Sequence, residues 1–309
     1  MTNSSCIQEI GEQLLDSSKS LTDRFRALFT LKNLGGSEAI DIIAKGFYDP
    51  SALLKHELAY CLGQMQDKYA VPVLTKVLED KSQEAMVRHE AGEALGAIGA
   101  SESLEVLRKF ENDSIPEVSE TCQLAIQRIE WLNNRNTSEG DKLSSNPYHS
   151  VDPAPPSLDL DIPRLKGALL DENRPLFERY RAMFSLRNTG GRDAVLALAE
   201  GLKCKSALFR HEIAYVLGQM QHEAAIEQLT VNLADSEENP MVRHECAEAL
   251  GSIAKDNCLN ILEKYSLDHE RVVKESCIVA LDMLEHEQSD QFQYANTMAE
   301  MKQAVHQET

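Results

Sequence analysis

The chain has 309 residues, with 31 lysines and arginines against 50 aspartates and glutamates and a formal net charge of −19. Such acidity repels a phosphate backbone, which sets nucleic acid aside; it fits a basic protein surface or a polyamine-like group as partner, while by itself it is explained as well by solubility alone. No run of about 18 apolar residues occurs, and the start "MTNSSCIQEIGEQLLDSS" lacks a basic region followed by an apolar core, so neither a membrane span nor a secretion signal is expected.

The seven cysteines are odd in number and form no C-x-x-C pair, which reads as reduced thiols in a cytoplasmic protein. Aromatic residues make up only 6% of the chain, while alanine, leucine, glutamate and isoleucine dominate, a bias toward helices.

Residues 1–20 form an N-terminal segment, and residues 21–132 a first helical half. Within that half "RFRALFTLKNLGG" (Arg24 to Gly36), "SALLKHELAYCLGQMQ" (Ser51 to Gln66) and "MVRHEAGEALGAIG" (Met86 to Gly99) stand out. Segments such as "AVPVLTKVLED" and "HEAGEALGAIG" space their apolar residues three and four apart, a helical period. Gly35-Gly36, Asp49-Pro50 and Gly99 supply breaks. Residues 133–163 are rich in Asn, Ser, Asp and Pro and read as a linker.

Residues 164–287 form a second half that repeats the first: "RYRAMFSLRNTGG" begins at Arg179, "SALFRHEIAYVLGQMQ" at Ser206 and "MVRHECAEALGSIA" at Met241, each 155 residues after its counterpart. One offset without insertion or deletion marks a duplication. A shorter period of 33 residues separates His56 from His89 and His211 from His244, so each unit is a small supersecondary element. The tetratricopeptide and ankyrin signatures are absent. The expected fold is all-α: HEAT-like helical-hairpin repeats in an α-solenoid, two duplicated halves of four repeats each. Residues 288–309 form a polar tail.

Seven His-Glu dipeptides occur, and three of them, at His222, His269 and His286, fall out of register with the duplication. The other four keep both periods and share the form [KR]-H-E: His56-Glu57, His89-Glu90, His211-Glu212 and His244-Glu245. They occupy the two middle units of each half. The outer units carry Phe25-Arg26, Val118-Ser119, Tyr180-Arg181 and Val273-Lys274 instead.

Plain copying of a structural residue would reach all eight units, and His and Glu are poor residues for a packed helix interface unless something satisfies them. Adjacent residues on a helix diverge by about 100°, whereas neighbouring helices pack about 8–10 Å apart. A metal held between two helices can therefore collect imidazole from both and carboxylate from one or both. Each half would supply one ligand set, with the halves facing each other like a clasp hinged at the linker. Mixed imidazole and carboxylate suits iron or manganese rather than structural zinc or calcium.

The four motifs in HEAT-like repeats, together with "NPYHSVDPAPP" (Asn146 to Pro156) in the linker, resemble the deoxyhypusine hydroxylase family from about Leu21 to Glu285. That resemblance implies a non-haem di-iron monooxygenase with molecular oxygen as co-substrate and an external electron donor. It would hydroxylate deoxyhypusine, an aminobutyl-extended lysine, on the precursor of translation initiation factor 5A to give hypusine.

Carried over by motif, the iron ligands are His56, Glu57, His89, Glu90, His211, Glu212, His244 and Glu245, with Glu57 and Glu212 alternatively holding the substrate's amines. Glu93 and Glu248, four residues beyond His89 and His244, are further amine-binding candidates. No separate side-chain acid or base is expected, because hydroxylating an unactivated C–H bond needs a metal–oxygen oxidant. Tyr60 and Tyr215 read as packing or supporting groups. The basic residue before each His is expected to project to solvent or pair with an acid. Two other readings use similar repeats: a non-catalytic scaffold binding a basic protein partner, and a bilin lyase. The first predicts no metal and the second a bound tetrapyrrole.

Overall fold

The computed structural model describes residues 3–135 and 146–289, and the described residues contain helices and no strand. The first half pairs α1 (Asn3–Leu15) with α2 (Leu21–Leu34), α3 (Gly36–Lys45) with α4 (Ala52–Met65), α5 (Val71–Glu79) with α6 (Ala85–Ile98), and α7 (Leu104–Phe110) with α8 (Pro116–Arg135). The second pairs α9 (Ile162–Leu170) with α10 (Leu176–Thr189), α11 (Gly191–Glu200) with α12 (Ala207–Met220), α13 (Ile226–Ala234) with α14 (Pro240–Ile253), and α15 (Asp256–Tyr265) with α16 (Arg271–Glu287).

The helical pairing reaches beyond the spans drawn from sequence. α1 lies inside the segment 1–20, yet it buries Ile7, Ile10 and Leu14 and packs on α2 as the outer helix of the first hairpin. α8 continues to Arg135, into the span read as linker. The tail from residue 290 onward lies outside the described residues.

Local chemistry sets the turns. Gly35, between α2 and α3, and Gly190, between α10 and α11, hold φ of +69° and +71°, a left-handed conformation that glycine adopts without a Cβ penalty. A second device recurs where an outer helix ends. Arg24, Arg88, Arg179 and Arg243 each donate from Nε to a carbonyl ten residues earlier, those of Leu14, Leu78, Leu169 and Leu233, at 2.8 to 3.0 Å. These carbonyls sit in the last turn of their helices, where no intrahelical donor reaches them. Three of the four arginines then pair with an aspartate 25 residues on: Arg24 with Asp49, Arg88 with Asp113 and Arg243 with Asp268.

The even-numbered helices form an inner series in which each packs on the next, and α16 packs back on α2 while α8 packs on α10. The stack therefore closes at two seams. Both seams are tied in the same way. Ser51 caps α4 by accepting from Leu54 N and donates to Glu275 on α16 at 2.6 Å, and Ser206 caps α12 and donates to Glu120 on α8 at 2.6 Å. The matching residues are 155 apart, so the duplication folds into a pseudo-two-fold pair. Arg26 adds a two-pronged bond to Asp282 across the α16–α2 seam.

Candidate metal centre

The four motif repeats place His56 on α4, His89 on α6, His211 on α12 and His244 on α14, and the closure of the stack turns all four inward to one point. Ring centroids of His56 and His89 lie 5.5 Å apart within one half, and those of His211 and His244 lie 5.3 Å apart within the other. The spacings between halves are similar: 5.1 Å for His56–His244, 5.3 Å for His89–His211 and 5.7 Å for His56–His211. One nitrogen from each of His56, His89 and His211 lies within 4.8 Å of the others, and so do ligand atoms of His211, His244 and Glu245. The cluster is shared between the halves more closely than a clasp with one separate site in each jaw.

All four rings are buried, and neither nitrogen of any of them makes a hydrogen bond among the described residues. His56 Nε2 stands 3.2 Å from Glu90 Oε2 and His211 Nε2 stands 3.3 Å from Glu245 Oε2, yet neither contact is aligned as a hydrogen bond. Eight orphaned ring nitrogens in one core would be a heavy penalty without a ligand. Lone pairs and carboxylate oxygens directed at a common space are what a cation requires.

Charge balance leads to the same conclusion. Burial first, and then the neighbouring rings, hold His89 and His244 well below the ordinary imidazole range and His211 down to about 3. The rings are therefore neutral and keep a lone pair free. Burial also pushes the carboxyls up: Glu57 to about 8 with help from Glu248, Glu90 to about 8 with help from Glu245, and Glu93, Glu212 and Glu245 well above the usual carboxylate value. Neutral rings beside acids that hold their protons describe a site short of positive charge, which a divalent ion supplies.

The six acids are not alike. Glu90 and Glu245 meet the rings through Nε2 of His56 and His211, Glu248 Oε1 stands 3.6 Å from His244 Nδ1, and Glu93 lies within 4.8 Å of a His89 nitrogen. The foremost charged neighbour of Glu57 is Glu248 from the opposite half, and that of Glu212 is Glu93, again from the opposite half. Two carboxylate pairs thus flank the imidazoles, one from α4 and α14 and the other from α6 and α12. They line a cavity of about 420 Å³ that also touches Phe29, Gln64, Gln219 and Met283. Tyr60 and Tyr215 line it as well and join hydroxyl to hydroxyl at 3.0 Å on the pseudo-two-fold axis.

The basic residues of the motifs behave differently from one of the two expectations. Lys55, Arg88 and Arg243 are buried rather than projecting into solvent, and all four pair with acids: Glu84, Asp113, Glu238 for Arg210, and Asp268. Arg24 and Arg179 hold the same register in units without a His-Glu pair, so the basic position serves the repeat and only the His-Glu positions serve the site.

Sequence reasoning missed the part played by the linker. Val151, Asp152 and Pro153 line the cavity. Gln64 exchanges both amide bonds with the Val151 backbone at 3.0 and 3.3 Å, Arg187 grips the Asp152 carboxylate at 2.6 and 2.9 Å, and Arg128 donates to the Asp152 carbonyl at 2.8 Å. This stretch is a packed strap across the α8–α10 seam. The available signal was its lack of any counterpart in the duplication.

Comparison with known proteins bears on the same residues. The family model described as HEAT repeats matches residues 40–127 and 195–282, two spans again 155 apart, and the PBS lyase HEAT-like repeat matches residues 178–204. The chain is 61% identical to deoxyhypusine hydroxylase of Danio rerio over 98% of its length and all of that protein's. It is 61% identical to that of Homo sapiens over 96% of its length and 97% of the relative's, and 55% identical to that of Drosophila melanogaster over 97% and 99%. The solved structure of human deoxyhypusine hydroxylase in complex with glycerol superposes with a TM-score of 0.89 at 62% identity, covering 92% of this chain and 97% of that one.

Proposed function

The chain belongs to the deoxyhypusine hydroxylase family, and from that premise we propose that it hydroxylates the aminobutyl arm of deoxyhypusine on the precursor of translation initiation factor 5A. The observation that carries this reading is the set of eight buried, unbonded ring nitrogens ringed by carboxylates at the meeting of two duplicated halves. His56, His89 and Glu90 from one half and His211, His244 and Glu245 from the other would hold two iron ions. With molecular oxygen and two electrons from an external donor, iron supplies the oxidising power that an unactivated C–H bond demands. One oxygen atom goes to the carbon and the other leaves as water with two protons.

The chain's own residues do the rest. Glu57 and Glu212 complete the eight-residue set expected from the motifs. Their pairing with Glu248 and Glu93 supports the alternative role, holding ammonium groups of the substrate. A polycationic arm placed between two carboxylate pairs presents its methylene carbons to the imidazole cluster. The apolar walls of the cavity and the strap limit water around those carbons. A non-catalytic scaffold would have no use for an orphaned imidazole core, and nothing in the lining asks for a tetrapyrrole.

The test is mass spectrometry of the deoxyhypusine-bearing factor after incubation with the protein, ferrous iron, oxygen and a reductant. One added oxygen atom on the modified lysine is expected. An unmodified substrate, with two irons bound per chain, would remove the hydroxylase reading.

A further inference from the structure

The duplication makes the centre nearly symmetric, so a linear diamine could lie across it in either direction. The strap removes that equivalence. It covers only the α8–α10 seam, where Arg128 and Arg187 anchor Asp152, and the positions equivalent to these arginines at the other seam are Met283 and Lys32. Gln64 is engaged by the strap, whereas its equivalent Gln219 bonds Arg187 and Tyr215.

The two ends of the cavity differ accordingly. At the covered end lie Glu93 and Glu212, with Asp152 among their charged neighbours and Pro153 buried above. At the α16–α2 end lie Glu57 and Glu248, with partly exposed Phe29, Ser252 and Met283 and exposed Gln221 on the wall. At that end Glu248 Oε1 is buried and makes no hydrogen bond among the described residues, so an acceptor there is open to a ligand.

We propose that the strap sets the direction of the substrate arm: it passes in at the uncovered end of the cavity, past Phe29, Gln221 and Met283, its secondary ammonium rests between Glu57 and Glu248, and its terminal ammonium reaches Glu93 and Glu212 beneath the strap. The proposal rests on the hydroxylase reading, since it takes the aminobutyl-lysine arm as the ligand. An arm tethered to a protein can lead only with its free end, and the strap leaves the end of the cavity lined by Phe29, Gln221 and Met283 uncovered. The two ammonium groups, four methylenes apart, then meet one carboxylate pair each, and the carbons between them lie over the imidazoles. Asp152 acts as a positioning residue by holding the strap closed.

The experiment measures binding by calorimetry to the iron-loaded protein without oxygen. The probes are a peptide carrying aminobutyl-lysine and the same peptide acetylated on the terminal amine. Glu93→Gln is expected to weaken the parent peptide about tenfold or more and to leave the acetylated peptide unchanged, because the charge it meets is already gone. Glu57→Gln is expected to weaken both probes equally. The reverse pattern would overturn the assigned direction. Glu212→Gln, on the opposite helix of the covered pair, repeats the test should Glu93→Gln fold poorly, and it must follow Glu93. Gln64→Ala, which releases the strap without touching an acid, is expected to shrink the difference between Glu57 and Glu93 variants toward parity, and an unchanged difference would refute the strap's role. If the parent peptide does not bind the unmodified protein at all, the hydroxylase reading falls first and this inference with it.

Discussion

At His89, His211 and His244, burial and neighbouring imidazoles act together to disfavour the charged state, and no donor or acceptor among the described residues bonds their ring nitrogens. A bound ligand would relieve this arrangement, so single truncations should be read in metal content first. His56→Ala and His244→Ala are each expected to lower bound iron from two per chain and to reduce hydroxylation by about two orders of magnitude or more, as the loss of a metal ligand does. Elemental analysis beside single-turnover mass spectrometry checks both, and full iron content in either variant would remove that residue from the ligand set.

The same groups set a pH dependence for the metal-free protein. The three depressed imidazoles contribute a loss of stability as pH falls below about 6.5, where the unfolded chain takes up protons that the folded one refuses. Glu57 and Glu90 act in the opposite sense. Folded, they keep protons up to about 8 that the unfolded chain releases from about 4.5 upward, so their contribution is present at low pH and lost as pH rises through 8. Between pH 6.5 and 8 the glutamates govern, and the melting temperature of the metal-free protein is expected to fall across that window. The rise in melting temperature on adding ferrous iron should grow over the same window, because binding requires the ligands deprotonated. Melting temperatures that move together with and without metal would contradict the assignment.

The helices that carry the site approach one another through small residues. A Cβ on Gly63 of α4 would stand 2.8 Å from Ala94 Cα on α6, and one on Gly218 of α12 would stand 3.0 Å from Ala249 Cα on α14. Both contacts are with backbone, so relief requires the helices to separate, and separation widens the gap between the paired imidazoles. Gly63→Ala is expected to cost about 1–3 kcal/mol in chemical denaturation and to weaken iron binding. Gly167→Ala, where nothing stands within 4 Å, serves as the control and is expected to stabilise by about 0.5–1 kcal/mol.

At this scale the sequence was informative about periodicity and about the basic residue of each motif, since all four pair with acids. It did not show that Arg88 and Arg243 are buried and cap the previous helix, because such an arginine looks, in one dimension, like a solvent-facing charge. The linker misled in the same way, because Pro- and Asp-rich composition marks irregular backbone without saying what that backbone packs against.

Across the whole molecule, a net charge of −19 accompanies a cavity lined by six glutamates, and the proposed ligand is a cationic arm. Long-range attraction of this kind is screened within about 10 Å at 0.1 M ionic strength. Capture of the basic side chain's protein carrier is therefore expected to weaken several-fold between 50 and 300 mM salt, chiefly in the association rate, by surface plasmon resonance. A rate indifferent to salt would make the net charge incidental.

The sequence alone determined the helical hairpins, the duplication at 155 residues and the four His-Glu positions, because a repeat writes its period along the chain and each helix is specified by nearby residues. Only the tertiary structure decided that the stack closes at two seams, that His56 lies as near to His244 as to His89, that Glu57 answers Glu248 and Glu212 answers Glu93, and that the linker covers one end of the cavity. Those relations join residues more than a hundred positions apart. They depend on how accumulated small rotations between helices bring distant faces together, a quantity that no local spacing records.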